Sequence, residues 1–207
     1  LFACEWSDLA SYLQRALAEL RAGGDPVTPF VLSAFPGATA ADHLTCARNT
    51  IRSEYPPLPA LYRGERYRHE RIRLAYVSGD YHRHPTTLLM AGVYEHHDRS
   101  RFETYAISFG IDDKSDERRR AIGAFDHFID VSDRGSPEIA RLVREQEIDV
   151  AVDLGSFTTG GRLAVFAARP APVQVTYLGF PGTTGASYMD YLLADRVFNI
   201  PFDFNAM

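Results

Sequence analysis

Residues 72–90 read IRLAYVSGDYHRHPTTLLM, and the meaning given to this stretch decides the fold. The apolar positions Ile72, Leu74, Tyr76 and Val77 run into Ser78-Gly79-Asp80, the pattern of a strand that ends at the carboxyl edge of a sheet. Pro85 fixes φ and needs no amide partner, so it suits the first turn of a following helix, with Thr86 and Thr87 beside it. A helix starting there turns unpaired N–H groups toward whatever lies above the sheet, and such a place favours anions such as phosphate. The turn itself offers Asp80, His82, His84 and Thr86. A histidine, with an ordinary pKa of about 6.5, exchanges a proton near neutral pH. Two readings of His84 stand side by side: a proton-handling group, or a residue that fills the turn and caps the helix.

Working outward, strands and helices alternate. Strands are expected at residues 102–109, 128–131, 148–154, 173–178 and 191–194, and helices at 86–97, 115–123, 136 onward and 163–168. The run IDVAVDL at 148–154 is nearly continuous in apolar residues, as in a parallel strand covered on both faces. This order predicts a doubly wound α/β domain with right-handed crossovers, whose ligands sit beyond the carboxyl ends of the strands. Three turns share that edge: residues 78–86, 155–161 (GSFTTGG) and 179–185 (GFPGTTG). Neither glycine-rich turn matches the GxGxxG fingerprint or the lysine-bearing phosphate loop. Upstream, Ser7 is placed to cap a helix with apolar positions Leu9, Tyr12, Leu13, Ala16, Leu17 and Leu20, stopped by Gly23-Gly24. A second helix is expected at 40–54, with only a short apolar run at Phe30 to Leu32 between them. Residues 1–65 thus form a helical lead-in and 66–207 the α/β domain, joined by a proline- and arginine-rich link.

Bulk properties narrow the function. Of 207 residues, 45% are hydrophobic, enough for a core, and a net charge of −5 gives no general attraction to nucleic acid or acidic membranes. Arg63, Arg66, Arg68, Arg71 and Arg73 make one local basic run, read as a solvated linker. Cys4 and Cys46 lie far apart with no paired spacing, against zinc and against a disulfide framework. No apolar run is long enough to span a membrane. The chain begins at Leu1 without a basic-then-apolar leader, so a cytoplasmic piece of a longer protein is expected. No Asp-x-Asp pair is present to hold Mg²⁺ against a nucleotide diphosphate, and a metal-free diphosphate site is expected.

The motifs RIRLAYVSGDYHRHPTTLLM (71–90), HFIDVSD (127–133), IDVAVDLGSFTTGGR (148–162) and ARPAPVQVTYLGFPGTTGASYMDYLLAD (168–195) stand in this order. Together they resemble the catalytic region of O-linked N-acetylglucosamine transferases and their bacterial and Spindly-type relatives. The resemblance implies the amino-terminal Rossmann-like lobe of a two-lobe GT-B glycosyltransferase, following the end of a helical repeat region, with Cys4, Trp6 and Asp8 like the family's Cys-x-Trp-x-Asp lead-in. It implies an inverting transfer of N-acetylglucosamine from UDP-GlcNAc to Ser or Thr of an acceptor protein, without a cofactor or metal. By the same resemblance His84 lies at the reaction centre and Asp80 matches a proton acceptor. Pro85 and Thr86 line the donor pocket, Leu178, Gly179 and Pro181 contact the donor, and Thr158 lies near sugar and acceptor. Three departures accompany this: Thr159 replaces a lysine of the animal enzymes, Gly155-Ser156 replaces an Asn-Gly, and an upstream family histidine is matched only by Phe35-Pro36 or His43. The second lobe, which in the family supplies a lysine and most nucleotide contacts, has no counterpart in the closing VFNIPFDFNAM. A fucosyl or other sugar transferase of the same family and a non-catalytic protein-binding module are the competing readings.

Overall fold

The computed structural model of the chain describes residues 8–195, which fall into two compact units. One holds the residues up to Pro56 together with Gly182–Ala186; the other holds Pro57–Pro181 and Ser187–Asp195.

The first unit is helical. Helix α1 (Leu9–Arg21) begins after Asp8, whose side chain makes no capping bond; the expected cap Ser7, like Cys4 and Trp6, lies outside the described residues. The apolar run after it proves to be a one-turn helix, α2 (Pro29–Leu32), because Thr28 caps it from Val31 N–H and Pro29 takes the first helical position. Helix α3 (Ala40–Glu54) starts on a reciprocal capping box: Thr39 Oγ1 accepts from Asp42 N–H at 3.2 Å and Asp42 accepts from Thr39 N–H at 2.8 Å. Arg21 then forks onto Asp42 at 2.8 and 2.7 Å, tying α1 to the start of α3. Ala16, Leu20, Val27, Leu32, Phe35 and Cys46 form the core. Burial pushes the Cys46 thiol up to about 11, so it behaves as a small apolar side chain.

The second unit is the α/β domain. Strand β1 (Ile72–Ser78) is followed by α4 (Pro85–Glu95), β2 (Phe102–Ser108), α5 (Asp116–Gly123), β3 (His127–Asp130) and α6 (Ser136–Glu145). Then come β4 (Val150–Asp153), the short α7 (Ala164–Ala167), β5 (Val173–Tyr177) and β6 (Tyr191–Leu193). All five pairings are parallel, in the order β3-β2-β1-β4-β5-β6. Side chains alternate across the sheet: Leu74 and Tyr76 pack with Met90, Tyr94, Ala121 and Phe125 on one face, leaving buried Ala75 and Val77 for the other. A strand buried on both sides is what the unbroken apolar runs specify. The order reverses direction between β1 and β4, the switch point where sheets of this kind leave a crevice beyond the strand ends.

The link keeps Arg63, Arg66 and Arg68 exposed, as expected, but the residues around them fasten it to this domain, and the compact unit begins at Pro57 and not near residue 65. Leu58, Leu61 and Tyr62 donate to the carbonyls of Ala167, Ala168 and Arg169. His69 bridges Asp149 at 3.1 Å and Glu147 at 3.0 Å, and Arg144 pairs with Glu65 at 2.7 Å and donates to the Tyr67 hydroxyl at 2.8 Å. The expected third turn is also divided, since Gly182–Ala186 belongs to the helical unit while Leu178, Gly179 and Pro181 stay with the sheet.

Candidate functional site

The carboxyl ends of β1, β2 and β4 enclose an open cavity of about 570 Å³. Its walls are Gly79, Asp80 and His82 from the turn after β1, Phe109–Gly110–Ile111 after β2, and Gly155 with residues 158–162 after β4. Close backbone approach builds this wall. A Cβ on Gly110 would stand 1.7 Å from the Gly79 carbonyl oxygen, and one on Gly161 2.1 Å from that of Ser156. Only glycine fits either place.

In the first turn, His84 is the residue before α4 and caps it: Nδ1 accepts from Thr86 N–H at 3.3 Å. In this bond the Nδ1 lone pair is directed at the start of α4. The Asp80 carboxylate lies 3.6 Å from the same Nδ1, too far for a hydrogen bond, and His84 is 39% exposed. Thr87 Oγ1 donates to the Asp80 carbonyl and Asp80 N–H to Ser78 Oγ, so the aspartate's backbone is fixed from both sides. The His82 and His84 rings are 5.4 Å apart between centroids, which sets His84 immediately behind the cavity wall.

In the second turn, Asp153 ends β4 fully buried, and its two oxygens accept from Gly155 N–H and Ser156 N–H at 3.0 Å each. Burial pushes this carboxyl up to about 6 despite the two amides. Ser156 turns through a positive φ of 51°, and its buried hydroxyl has no hydrogen-bond partner. Thr158 closes the turn by bonding the Gly155 carbonyl with both N–H (3.1 Å) and Oγ1 (2.7 Å). After β5, Leu178 adopts φ 67°, a strained conformation for a branched side chain. Phe180 meets Phe157 edge to face at 5.4 Å, joining this turn to the previous one.

Of the residues singled out in the sequence, Asp80, His82, Gly155, Thr158 and Thr159 share the cavity. His84, Pro85 and Thr86 lie beside it at the start of α4. Leu178, Gly179 and Pro181 form the next turn along the edge and do not line it. Sequence reasoning passed over the Phe109–Gly110–Ile111 wall and Arg162, whose guanidinium stacks 4.8 Å above the Phe109 ring. A glycine directly after a strand was the one signal available for Gly110. Asp153 was hidden inside an apolar strand. Among the described residues no group of three or more His, Cys, Asp and Glu side chains is placed to hold a metal ion.

The family model of glycosyl transferase family 41 matches residues 40–205. The chain is 40% identical over 127 residues to the probable UDP-N-acetylglucosamine–peptide N-acetylglucosaminyltransferase SEC of Arabidopsis thaliana, covering 61% of this chain and 13% of that protein. It is 32% identical over 164 residues to the UDP-N-acetylglucosamine–peptide N-acetylglucosaminyltransferase of Caenorhabditis elegans, covering 77% of this chain and 14% of the other. A solved structure of a mutant O-GlcNAc transferase from Thermobaculum terrenum superposes with a TM-score of 0.69 at 29% identity, over 89% of this chain and 37% of that one. The chain therefore spans a small part of the length of these relatives.

Proposed function

The chain belongs to glycosyl transferase family 41, and from that membership we propose that it supplies the amino-terminal lobe of an inverting protein O-glycosyltransferase that moves N-acetylglucosamine from UDP-GlcNAc to Ser or Thr of proteins. The observation that carries this reading is the meeting of Asp80 and Thr158 on one cavity at the β1/β4 switch point, with His84 and the start of α4 beside it. The names of the relatives supply the sugar, the nucleotide and the peptide acceptor. A second, nucleotide-binding lobe faces this edge in the proposed enzyme, and the reaction takes place in the cytoplasm without a cofactor or metal.

In the proposed reaction a Ser or Thr oxygen attacks the anomeric carbon, the bond to the diphosphate breaks, and configuration inverts. The acceptor proton passes to the Asp80 carboxylate, directly or through water, because His84 Nδ1 is occupied by Thr86 N–H. His84 then acts as a donor through Nε2, and with the positive end of the α4 dipole it stabilises charge on the departing diphosphate. Pro85 and Thr86 hold that end in place; Leu178, Gly179 and Pro181 bound the donor on its other side.

The test is transfer by the full-length protein from UDP-GlcNAc to a Ser/Thr peptide, read by mass spectrometry of the product, with GDP-fucose and UDP-glucose as competing donors. His84→Ala is expected to lower kcat by about 100-fold or more. Losing the cap destabilises α4 by only about 1 kcal/mol, so the variant stays folded. Near wild-type turnover in this variant refutes the assignment, GDP-fucose as the preferred donor replaces the sugar, and loss of transfer in EDTA refutes the metal-free reaction.

A further inference from the structure

Asp153 is an expensive choice of residue. It is 2% exposed, and in register it lies between Val77 of β1 and Thr176 of β5, with no cation among the groups that set its ionisation. A buried carboxylate without a counter-charge destabilises the fold, and a neutral side chain of the same size would avoid this. What the carboxylate does that an amide does not is accept at both oxygens. Gly155 N–H bonds Oδ1 and Ser156 N–H bonds Oδ2; asparagine would accept one and turn an NH₂ toward the other.

Those two bonds set the direction in which the turn leaves the strand. Ser156 is forced through its positive φ, and Thr158 and Gly161 then fold back through Thr158 N–H and Oγ1 to the Gly155 carbonyl and Gly161 N–H to the Thr158 carbonyl. Those hydrogen bonds lie within the turn and leave its tilt over the cavity open; toward the neighbouring turn it presents the Phe157 ring, edge to face with Phe180. We propose that Asp153 is the positioning residue of the 155–161 turn, holding Thr158 and Thr159 at the cavity in the pose that receives the acceptor peptide. This rests on the transferase reading for the identity of the ligand, but the mechanical part stands on the two amide bonds alone.

Two readouts separate these parts. Hydrogen exchange on the full-length protein reports the turn: in Asp153→Asn the Gly155 or Ser156 amide that faces the new NH₂ exchanges about tenfold faster or more, and in Asp153→Ala both do, while the β1 amides keep their protection. Steady-state kinetics reports the consequence: kcat/KM for the peptide falls about tenfold or more, while KM for UDP-GlcNAc stays within about twofold of wild type. Unchanged exchange in the turn, with either variant folded, overturns the proposal. So does a loosened turn with unchanged peptide kinetics, or a KM for UDP-GlcNAc that rises in step with the loss. A wild-type protein that transfers nothing sinks the transferase reading instead, and the exchange arm then decides the role of Asp153 by itself.

Discussion

Arg118 is buried to 4% on α5 and gathers three strand ends around one guanidinium. It donates to the Tyr81 carbonyl at 3.0 Å, the Ile111 carbonyl at 3.3 Å and Ser108 Oγ at 3.4 Å, and pairs with Asp130 at 2.7 Å and Asp112 at 3.0 Å, over the face of Phe128. Replacing it with methionine keeps most of the volume and removes every donor. Breaking a buried charge pair destabilises by about 3–5 kcal/mol, but Asp130 and Asp112 are 43% and 55% exposed and regain water, which favours the lower end. We expect about 3 kcal/mol for Arg118→Met, or roughly 6–12 °C in Tm for a chain of this size. Arg118→Lys should recover only part of it, because an ammonium cannot fork to carbonyls and carboxylates on separate loops. Thermal and urea unfolding followed by circular dichroism measure both variants. A loss under about 1 kcal/mol for Arg118→Met would show that the loops after β1 and β2 hold together without it, and the reasoning would fail.

Three further expectations concern pH and close packing. Asp153 is pushed from 3.8 to about 6 in the folded state, so between these values the folded protein keeps a proton that the unfolded chain has released; the contribution of this group to stability is fully present below about pH 4 and is lost as pH rises through about 6, by roughly 3 kcal/mol in all. The wild-type minus Asp153→Asn difference in urea stability across pH 4–8 should trace that fall, and a flat difference contradicts it. Asp42 behaves oppositely: the hydrogen bonds from Arg21 hold its carboxyl well below the usual range against the effect of burial, so its contribution is present above about pH 4 and lost as pH falls further, and Asp42→Asn should weaken acid-induced melting of the helical unit. Gly110→Ala should destabilise by about 1–3 kcal/mol and abolish the proposed binding of an acceptor peptide, read by calorimetry on the full-length protein, since the 1.7 Å approach to the Gly79 oxygen forces two cavity walls apart.

How much of this was legible in the sequence depended on whether the signal was local. The strand 72–78 declared itself by its run of apolar residues, helix 40–54 by its period and the prolines that close it, and helix 115–123 by its charged run after Ser115. His84 was left between proton handling and capping, and the structure gives it the capping bond while placing it beside the cavity; one ring has two nitrogens, and the alternatives were never exclusive. In the arginine-rich link composition reported the solvation of Arg63, Arg66 and Arg68 and could not report that Leu58, Leu61 and Tyr62 find carbonyls more than a hundred residues away. The cavity wall at Gly110 was equally hidden, since a close approach between two loops leaves one glycine in each and no spacing between them. Thr28-Pro29, by contrast, was a helix start that could have been recognised.

The sheet's outer strands have a consequence for how copies of this protein meet. β3 offers four residues and β6, among the described residues, three, and His127, Asp130, Tyr191 and Leu193 face solvent at their ends. A foreign strand docking on either side would find a ladder too short to template growth, with an imidazole at one end of β3 and a carboxylate at the other. Polymerisation by edge-to-edge strand addition is therefore a poor route for the folded chain, even with a sheet of six parallel strands.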